Sequence, residues 1–490
     1  MARNRLLTSF QVDIIQLVLL FMISVIAVYF TPYIINQLFF LVVLFLFWNS
    51  RKDYFWIAFL FVLYDQPSGF FSGGLRTDIQ RLPIYTFAAG LSLSVHDFFY
   101  LVAILKAFMK GKKSKFILAR PLAWLLVYFL FSYFISIALG MGYKTHVQTI
   151  RSLIPFTMFF FMPMLMRKKE DYSNLLHLLF PVMFLVIAGQ FYQIIFGAPL
   201  AALLKKDAGI IAGHFIQHEG LMRAIDSPYL NIFCLIGASF FALQKASRLR
   251  RIYYYSIISI CVLSMFLSAT RGWIIAYAVM LLVYLFFIDK SLSNVFAKVM
   301  VLSVLTYLVI FSNPVITRQS ERVVDRVMTM KKLVEGDVTA GGTLTRIDEH
   351  SPRVMKKFWE SPIIGFGISD EAYKYADEHV GNQSMLLEMG IVGFAIFIFF
   401  IARFTHIVLQ VENMISRRNS FKRTLLVFIM GLIGLFIIHS SSTQIFGYIL
   451  HQEKIFLVSL YFLMAGVYIK SAIEEHRGEL ERLKINPIRG

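Results

Sequence analysis

Long apolar runs, separated by short polar and basic segments, recur along almost the whole chain. An α-helix needs roughly 20 apolar residues to cross about 30 Å of hydrocarbon, so each run predicts a membrane span. The runs fall near residues 12–30, 33–49, 54–64 (short), 88–108, 121–140, 149–166, 174–196, 229–244, 252–268, 273–288, 297–312, 385–402, 424–440 and 454–471. The expected architecture is an all-α integral membrane protein with about 12–14 transmembrane helices. The runs are nearly free of charge, so intrahelical backbone hydrogen bonds have to satisfy the peptide groups there. The start, MARNRLL followed by a long apolar run without a small-residue cleavage site, reads as a retained first span. No internal repeat or low-complexity segment interrupts the pattern.

Basic residues collect between the runs: Arg3 and Arg5, Arg51 and Lys52, Lys110 to Lys115, Arg167 to Lys169, Lys245 to Arg251, Arg417 to Arg423, and the tail after Lys470. With both termini inside, every cluster falls on the cytoplasmic side, as the positive-inside rule requires. The expected location is therefore a bacterial inner membrane, multi-pass. Composition agrees: 58% of the 490 residues are hydrophobic and only 16% are charged, which excludes an ordinary water-soluble domain. A net charge of +19 would suggest nucleic acid in a soluble protein, but here the cations are dispersed among spans. Membrane lipids are expected partners and nucleic acid is not. Cys234 and Cys261 lie in apolar stretches, so no disulfide framework is expected.

The cytoplasmic loops are too short for a nucleotide-binding domain, and no GxxxxGK[ST] or GxGxxG motif occurs between a strand and a helix. Chemistry is therefore expected outside, in loops near 65–84, 141–148, 197–228, 313–384 and 440–453. The chain reads as one polytopic domain: N-terminal helices over 1–219, a central region over 220–402 containing the large loop 313–384, and C-terminal helices with a basic tail over 403–490. The large loop opens NPVITRQSERVVDRVMTMKKLVEG, in which Arg318, Arg322 and Arg326 oppose Val315, Val323, Val327 and Met330 at helical spacing. This predicts an amphipathic helix along the membrane surface. DVTAGGT at 337–343 is a break; a helix around Trp359 and a PIIGFG turn follow, with Gly365 and Gly367 letting the chain double back.

The loop ends DEHVGNQSMLLEMGIVGFAIF, with His379 above a span and Gly390 and Gly393 on that helix's first turns. His, ten residues, Gly, two residues, Gly at the entry of a membrane helix resembles the signature of the O-antigen ligase and O-antigen polymerase superfamily. Three more segments follow the family's order: MRAIDSPYLN around Arg223, LSATRGWIIAY around Arg271, and TRIDEHSPRVMKKFWESPIIGFGISD from Arg346. Together they cover about residues 220–400. Beside the histidine, where the family carries a small polar residue, this chain has Val380, with Asn382 and Gln383 the nearest polar replacements.

The resemblance implies a membrane glycosyltransferase of GT-C-like architecture that moves a glycan from undecaprenyl diphosphate to an acceptor hydroxyl at the periplasmic face, with inversion. The acceptor would be lipid A-core in a ligase or another lipid-linked glycan in a polymerase; the late position of the large loop favours the ligase branch. Such chemistry needs a base for the hydroxyl proton and cations for the departing diphosphate. An imidazole, titrating near pH 6.5, suits the first need, and guanidinium forks suit the second. His379 is the expected base, with Asp377 or Glu378 as its orienting partner and Asn382 in support. Arg223, Arg271 and Arg346 are the expected diphosphate ligands, with Arg151 as a further contact. Arginines at helix ends also serve as plain head-group anchors.

GHFIQHEG supplies His214 and His218, four apart on one helix face, and Glu219, but the HExxH order is absent and no further ligand that converges with the two histidines is identifiable. A metal-independent reaction without cofactor is expected. The competing class is a lipid-linked glycan flippase or transporter, which would mark a midplane path with ionisable or helix-breaking residues; here the polar residues collect at one face instead.

Overall fold

The computed structural model describes residues 2–71, 82–87, 92–112, 114, 116–204, 217–218, 221–222, 224–244, 247–288, 312–334, 349–416 and 423–485. Its α-helices begin with α1 (Ala2–Phe30), α2 (Tyr33–Asn49), α3 (Asp53–Asp65), α4 (Val95–Lys110), α5 (Ala119–Ala138) and α6 (Tyr143–Leu153). Next come α7 (Met158–Leu165), α8 (Lys169–Leu179), α9 (Val182–Phe196), α10 (Pro228–Leu243), α11 (Arg248–Leu267) and α12 (Arg271–Val283). The last six are α13 (Pro314–Val334), α14 (Ser351–Phe358), α15 (Asp370–Tyr375), α16 (Gly381–Ser416), α17 (Leu426–Ser441) and α18 (Gln452–Ile485). Two small antiparallel hairpins pair Ile84–Thr86 with Ser92–Ser94 and Gln217–His218 with Leu221–Met222.

Among the described residues, seven helical stretches are long and apolar enough to cross a membrane: Gln11–Phe30, Ala119–Ala138, Lys169–Phe196, Arg248–Leu267, Arg271–Ile288, Gly381–Ile415 and Gln452–His476. Three shorter apolar helices are α2, α10 and α17. The outer surfaces of α1, α2 and α5 expose Ile15, Leu19, Phe45, Trp124 and Phe134, an apolar belt that only a lipid environment satisfies.

Several expected spans differ from the helices found. The run at 54–64 is a 13-residue helix, about 20 Å long, with every residue from Phe55 to Asp65 buried. It is a short helix sheathed by others, running from the Asp53–Lys106 pair at one end of the bundle to Tyr64, whose hydroxyl donates to Gln452, at the other. The run at 88–108 becomes helical only at Val95, because Ser94 and Asp97 form a capping box there. The run at 149–166 is divided by a 3-10 turn at Ile154–Thr157, where Pro155 breaks the backbone ladder between α6 and α7. Most of the run at 297–312 lies outside the described residues.

The amphipathic helix α13 forms with a buried face that includes Val323, as expected, and that is displaced from Val315 towards Ile316. Ile316, Gln319, Ser320 and Val323 are buried at i, i+3, i+4 and i+7, while Val315 is exposed. Ile316 packs among Ile187, Ile194, Leu263 and Leu267, and Gln319 donates to the Leu267 carbonyl at 3.3 Å. The helix therefore lies on the ends of α9 and α11, with Arg318 and Arg322 outward. The DVTAGGT break is outside the described residues.

Charge divides the bundle into two ends. At one, Lys52 pairs with Asp13, Lys106 with Asp53 at 2.5 Å, and Lys169 with Glu475, while Lys110 donates to the Trp48 carbonyl. At the other end lie the starts of α4, α12, α16 and α18 and the end of α17. There Asp97 and Arg151 form an ion pair bridged by Gln452.

The helix that enters from this second end, α16, is broken inside the bundle. Gly390 adopts φ 63° and ψ −178°, a conformation essentially confined to glycine, and its neighbours lose their intrahelical partners. The segment Pro362–Gly367 replaces them. Phe366 and Gly367 donate to the Leu387 and Glu388 carbonyls at 2.9 Å, and Ile391 and Val392 donate back to Pro362 and Ile363 at 2.9 and 3.1 Å. The Tyr128 hydroxyl closes the Met389 carbonyl at 2.6 Å. Gly365 and Gly367 have φ 69° and 62°, so the expected reversal occurs there. A Cβ on Gly393 would stand 2.2 Å from the Tyr128 ring, which explains the second glycine of the motif.

A Cβ at Gly390 would meet the Ile363 carbonyl at 2.3 Å, in addition to strain of about 1–3 kcal/mol. Gly390→Ala is expected to lower the melting temperature of the detergent-solubilised protein markedly, whereas Ala395→Gly, further along the same helix, costs only about 1 kcal/mol. Equal melting temperatures for wild type and Gly390→Ala would contradict this account of the break.

Candidate functional site

His379 sits in the turn that leads into α16. Ser384, on the first turns of that helix, fixes the turn: its hydroxyl donates to the Asp377 carbonyl and accepts from the Asp377 N–H, both at 2.8 Å. The Asp377 carboxylate then collects three donors. Oδ1 accepts the His379 N–H at 2.9 Å, and Oδ2 accepts from His350 Nδ1 at 2.5 Å and from Arg353 at 2.9 Å. Burial raises the Asp377 pKa, but the His379 N–H and the His350 ring outweigh it and hold the carboxyl below its ordinary value.

The His379 ring faces the Ser442 carbonyl, with Nδ1 at 3.2 Å. A carbonyl can only accept, so Nδ1 carries a proton, and in the neutral ring the lone pair is on Nε2. The rings of His350 and His379 stand edge to face, their centroids 5.8 Å apart. His350 was not among the residues expected from sequence. The signal was available: it shares the motif-bearing segment with Arg346, but a histidine between acidic and small residues has no spacing that marks it out.

Glu378 turns the other way from Asp377, towards the chain between α17 and α18. It accepts from Thr443 at 3.0 Å, Lys454 at 2.7 Å and His451 at 3.3 Å, and the Gln444 N–H donates to its carbonyl at 2.8 Å. The His451 hydrogen bond, opposed by burial and assisted by Lys454, holds its pKa well below the usual carboxylate range. The same bond, against burial, raises the His451 pKa. Asp377 thus supports His379 through the backbone, while Glu378 ties the histidine turn to the segment that carries Ser442.

That segment, 442–451, is folded around another carboxylate. Glu388 is fully buried on α16 and accepts from the Tyr448 N–H at 2.5 Å, the Ile449 N–H at 3.3 Å and the Gln444 amide at 2.7 Å. Gly447 passes so close that a Cβ there would lie 2.7 Å from the carboxylate. His439 accepts from the Ile445 and Phe446 N–H groups and is buried, so its polar edge fixes this segment instead of lining the site. On the far side of the segment, Ile445, Phe446 and Tyr448 join Phe129, Phe159 and Phe397 around an apolar cavity that reaches towards the middle of the bundle.

Arg271 is the first helical residue of α12 and is partly buried. The next residue, Gly272, lies against the end of α17: a Cβ there would meet the Ser441 hydroxyl at 2.6 Å and Ser442 Cβ at 2.8 Å. The start of α12 and the His379 ring therefore abut the same residue, Ser442. Asn382 is half-buried on the first turn of α16, and Val380 is buried against Val354, Phe358 and Leu387, where it locks α14 onto that turn. Arg151 is engaged by Asp97, at 3.2 Å from Nε and 3.0 Å from its terminal nitrogen, so its charge is spent on holding α4 to α6. Asp226, in the segment around Arg223, is buried, and burial pushes its carboxyl up to about 6 even though Ser68 and Ser227 donate to it. Arg223, Arg346, His214 and Glu219 lie outside the described residues.

The Glu378–His451 pair sets a pH window. A depressed Glu378 contributes stability above its unfolded pKa of about 4.3 and loses it as pH falls. A raised His451 contributes below its unfolded value of about 6.5 and loses it as pH rises through its folded value. The melting-temperature difference between wild type and His451→Ala is expected to peak at about pH 5–6 and to vanish by about pH 9. A difference that grows towards alkaline pH would reverse the assignment.

No protein-family model matches the chain, and no curated protein is significantly similar to it.

Proposed function

We propose that this protein is a membrane glycosyltransferase that moves a glycan from a polyprenyl diphosphate to an acceptor hydroxyl, in the manner of the O-antigen ligases it resembles in sequence. The observation that carries the reading is the meeting at Ser442 of the His379 ring and the helix start that bears Arg271. A base with a free lone pair and a cation at a helix N-terminus are what the two halves of the displacement require. The acceptor oxygen attacks the anomeric carbon, its proton passes to His379 Nε2, and the bond to the diphosphate breaks with the electron pair remaining on the departing phosphate oxygen. Arg271 and the first N–H groups of α12 would offset that growing charge.

Two further features support a lipid-linked donor. The apolar cavity beside segment 442–451 suits a hydrocarbon chain whose head group lies at the polar end of the bundle. The lysine-rich end lies opposite, which fits cytoplasmic termini and a site facing the periplasm of a bacterial inner membrane. Surface-polysaccharide or lipopolysaccharide assembly is the corresponding process, and a repeat-unit polymerase would differ only in using a second lipid-linked glycan as acceptor.

The purified protein, given undecaprenyl-diphosphate-linked glycan and a lipid A-core acceptor, should form a glycosidic bond without nucleotide. His379→Ala should lower turnover by about 100-fold or more while membrane insertion is unchanged. Arg271→Ala should mainly weaken donor use. Wild-type rates in the His379→Ala variant would remove the histidine from the reaction, and glycan movement across liposomes without bond formation would favour a flippase.

A further inference from the structure

The site holds two imidazoles with unequal support. Behind His379 stands a neutral backbone carbonyl at 3.2 Å; behind His350 stands the Asp377 carboxylate at 2.5 Å. In both rings the supported atom is Nδ1 and the acceptor is an oxygen, so both present Nε2 as the proton-accepting atom. A dipole weakly stabilises an imidazolium, whereas a charged carboxylate in hydrogen-bond contact stabilises it strongly and fixes the tautomer. The rings are edge to face with centroids 5.8 Å apart and share no hydrogen bond, so a proton moves between them through a bridging water. Asp377 also accepts the His379 N–H, so one carboxylate sets the position of both rings.

The charges facing His350 are Asp377 and His379 from the turn before α16 and Arg353 one turn along α14. Arg353 shares Oδ2 of the Asp377 carboxylate with His350. Glu378, the other carboxylate of the turn, is committed to Lys454 and His451.

We propose that His350, backed by Asp377, is the second proton acceptor of this site and the place where the acceptor's proton comes to rest. This rests on the transferase reading. As the glycosidic bond forms and the anomeric bond to the diphosphate breaks, the hydroxyl proton goes to His379 Nε2, from there to a water between the rings, and a proton of that water goes to His350 Nε2. The electron pair of the broken bond leaves with the diphosphate, and the His350 imidazolium is held by Asp377 until solvent takes its proton.

The test measures turnover against pH for wild type, His350→Ala and Asp377→Asn in detergent. His350→Ala should lower kcat by about 10- to 100-fold with little change in donor KM, and added imidazole should restore part of the rate. Asp377→Asn should move the acid limb of the profile to lower pH, because removing the carboxylate makes His350 harder to protonate; a packing role would leave that limb in place. Wild-type kcat in His350→Ala, or a loss that imidazole does not restore, would overturn the proposal. If Asp377→Asn does not fold, the alanine variant and its rescue decide. Nitrogen NMR of labelled histidines reads the pair without any substrate: His350 should be in the Nδ1–H form, and an Nε2–H form would overturn the proposal. A wild-type protein that transfers no glycan at all would instead refute the transferase reading.

Discussion

Inside a bilayer a helix cannot be broken unless each freed peptide group finds another partner, because no water is there to supply one. The break at Gly390 meets this constraint with protein alone. Four backbone hydrogen bonds from Pro362–Gly367 and one from the Tyr128 hydroxyl close the gap. The consequence reaches well beyond the kink. The chain from α14 to α15 must return to exactly this depth to supply the bonds, so His350, at the start of α14, is carried to the turn that holds His379. The same break leaves the first turns of α16 separate from its long span, with Glu388 facing segment 442–451.

Much of this was legible in the sequence, and the limits are physical. Hydrophobic run length marks where helices must lie, and it gave the apolar span Gln11–Phe30 of α1 and the helices α2, α10, α11 and α17 closely. Run length does not register a cap or a proline inside a run, which is why α4 starts later and why α6 and α7 are separate. Helical periodicity found α13 and the side that carries Val323, but not the burial of Gln319 and Ser320 beside it; the bond of Gln319 to the Leu267 carbonyl is something no periodicity of apolar residues records. The two motif glycines were recognised as a pattern; their reasons, a forbidden φ at Gly390 and the Tyr128 ring against Gly393, appear only in three dimensions.

The site shows the same division. His379 and Arg271 were singled out by their place in the motifs and by residue types that suit the chemistry, and the His379 ring and the helix start that bears Arg271 meet a common neighbour, Ser442. Asp377 was expected to orient His379 and does so through the backbone, a contact that spacing cannot reveal, while its side chain spends its stronger bond on His350. Arg151 shows the opposite case: a guanidinium at a span end looks free until its buried partner, Asp97, is brought from another helix.

Glu388 completes the arrangement, because a carboxylate buried among apolar helices costs several kcal/mol unless donors surround it. Here the donors come from a single short segment, and collecting them is what folds that segment. Its backbone turns inward to the carboxylate at Tyr448 and Ile449, so its side chains, Ile445, Phe446 and Tyr448, turn outward to the apolar cavity. Its beginning, meanwhile, is held by His439 and Glu378 at the level of the imidazoles. One wall therefore has a polar rim facing His379 and an apolar face turned to the bundle interior. A buried carboxyl group that would destabilise a simple helix bundle becomes the peg on which an amphiphilic partition is hung, and such a partition matches a substrate that is a phosphate at one end and hydrocarbon at the other.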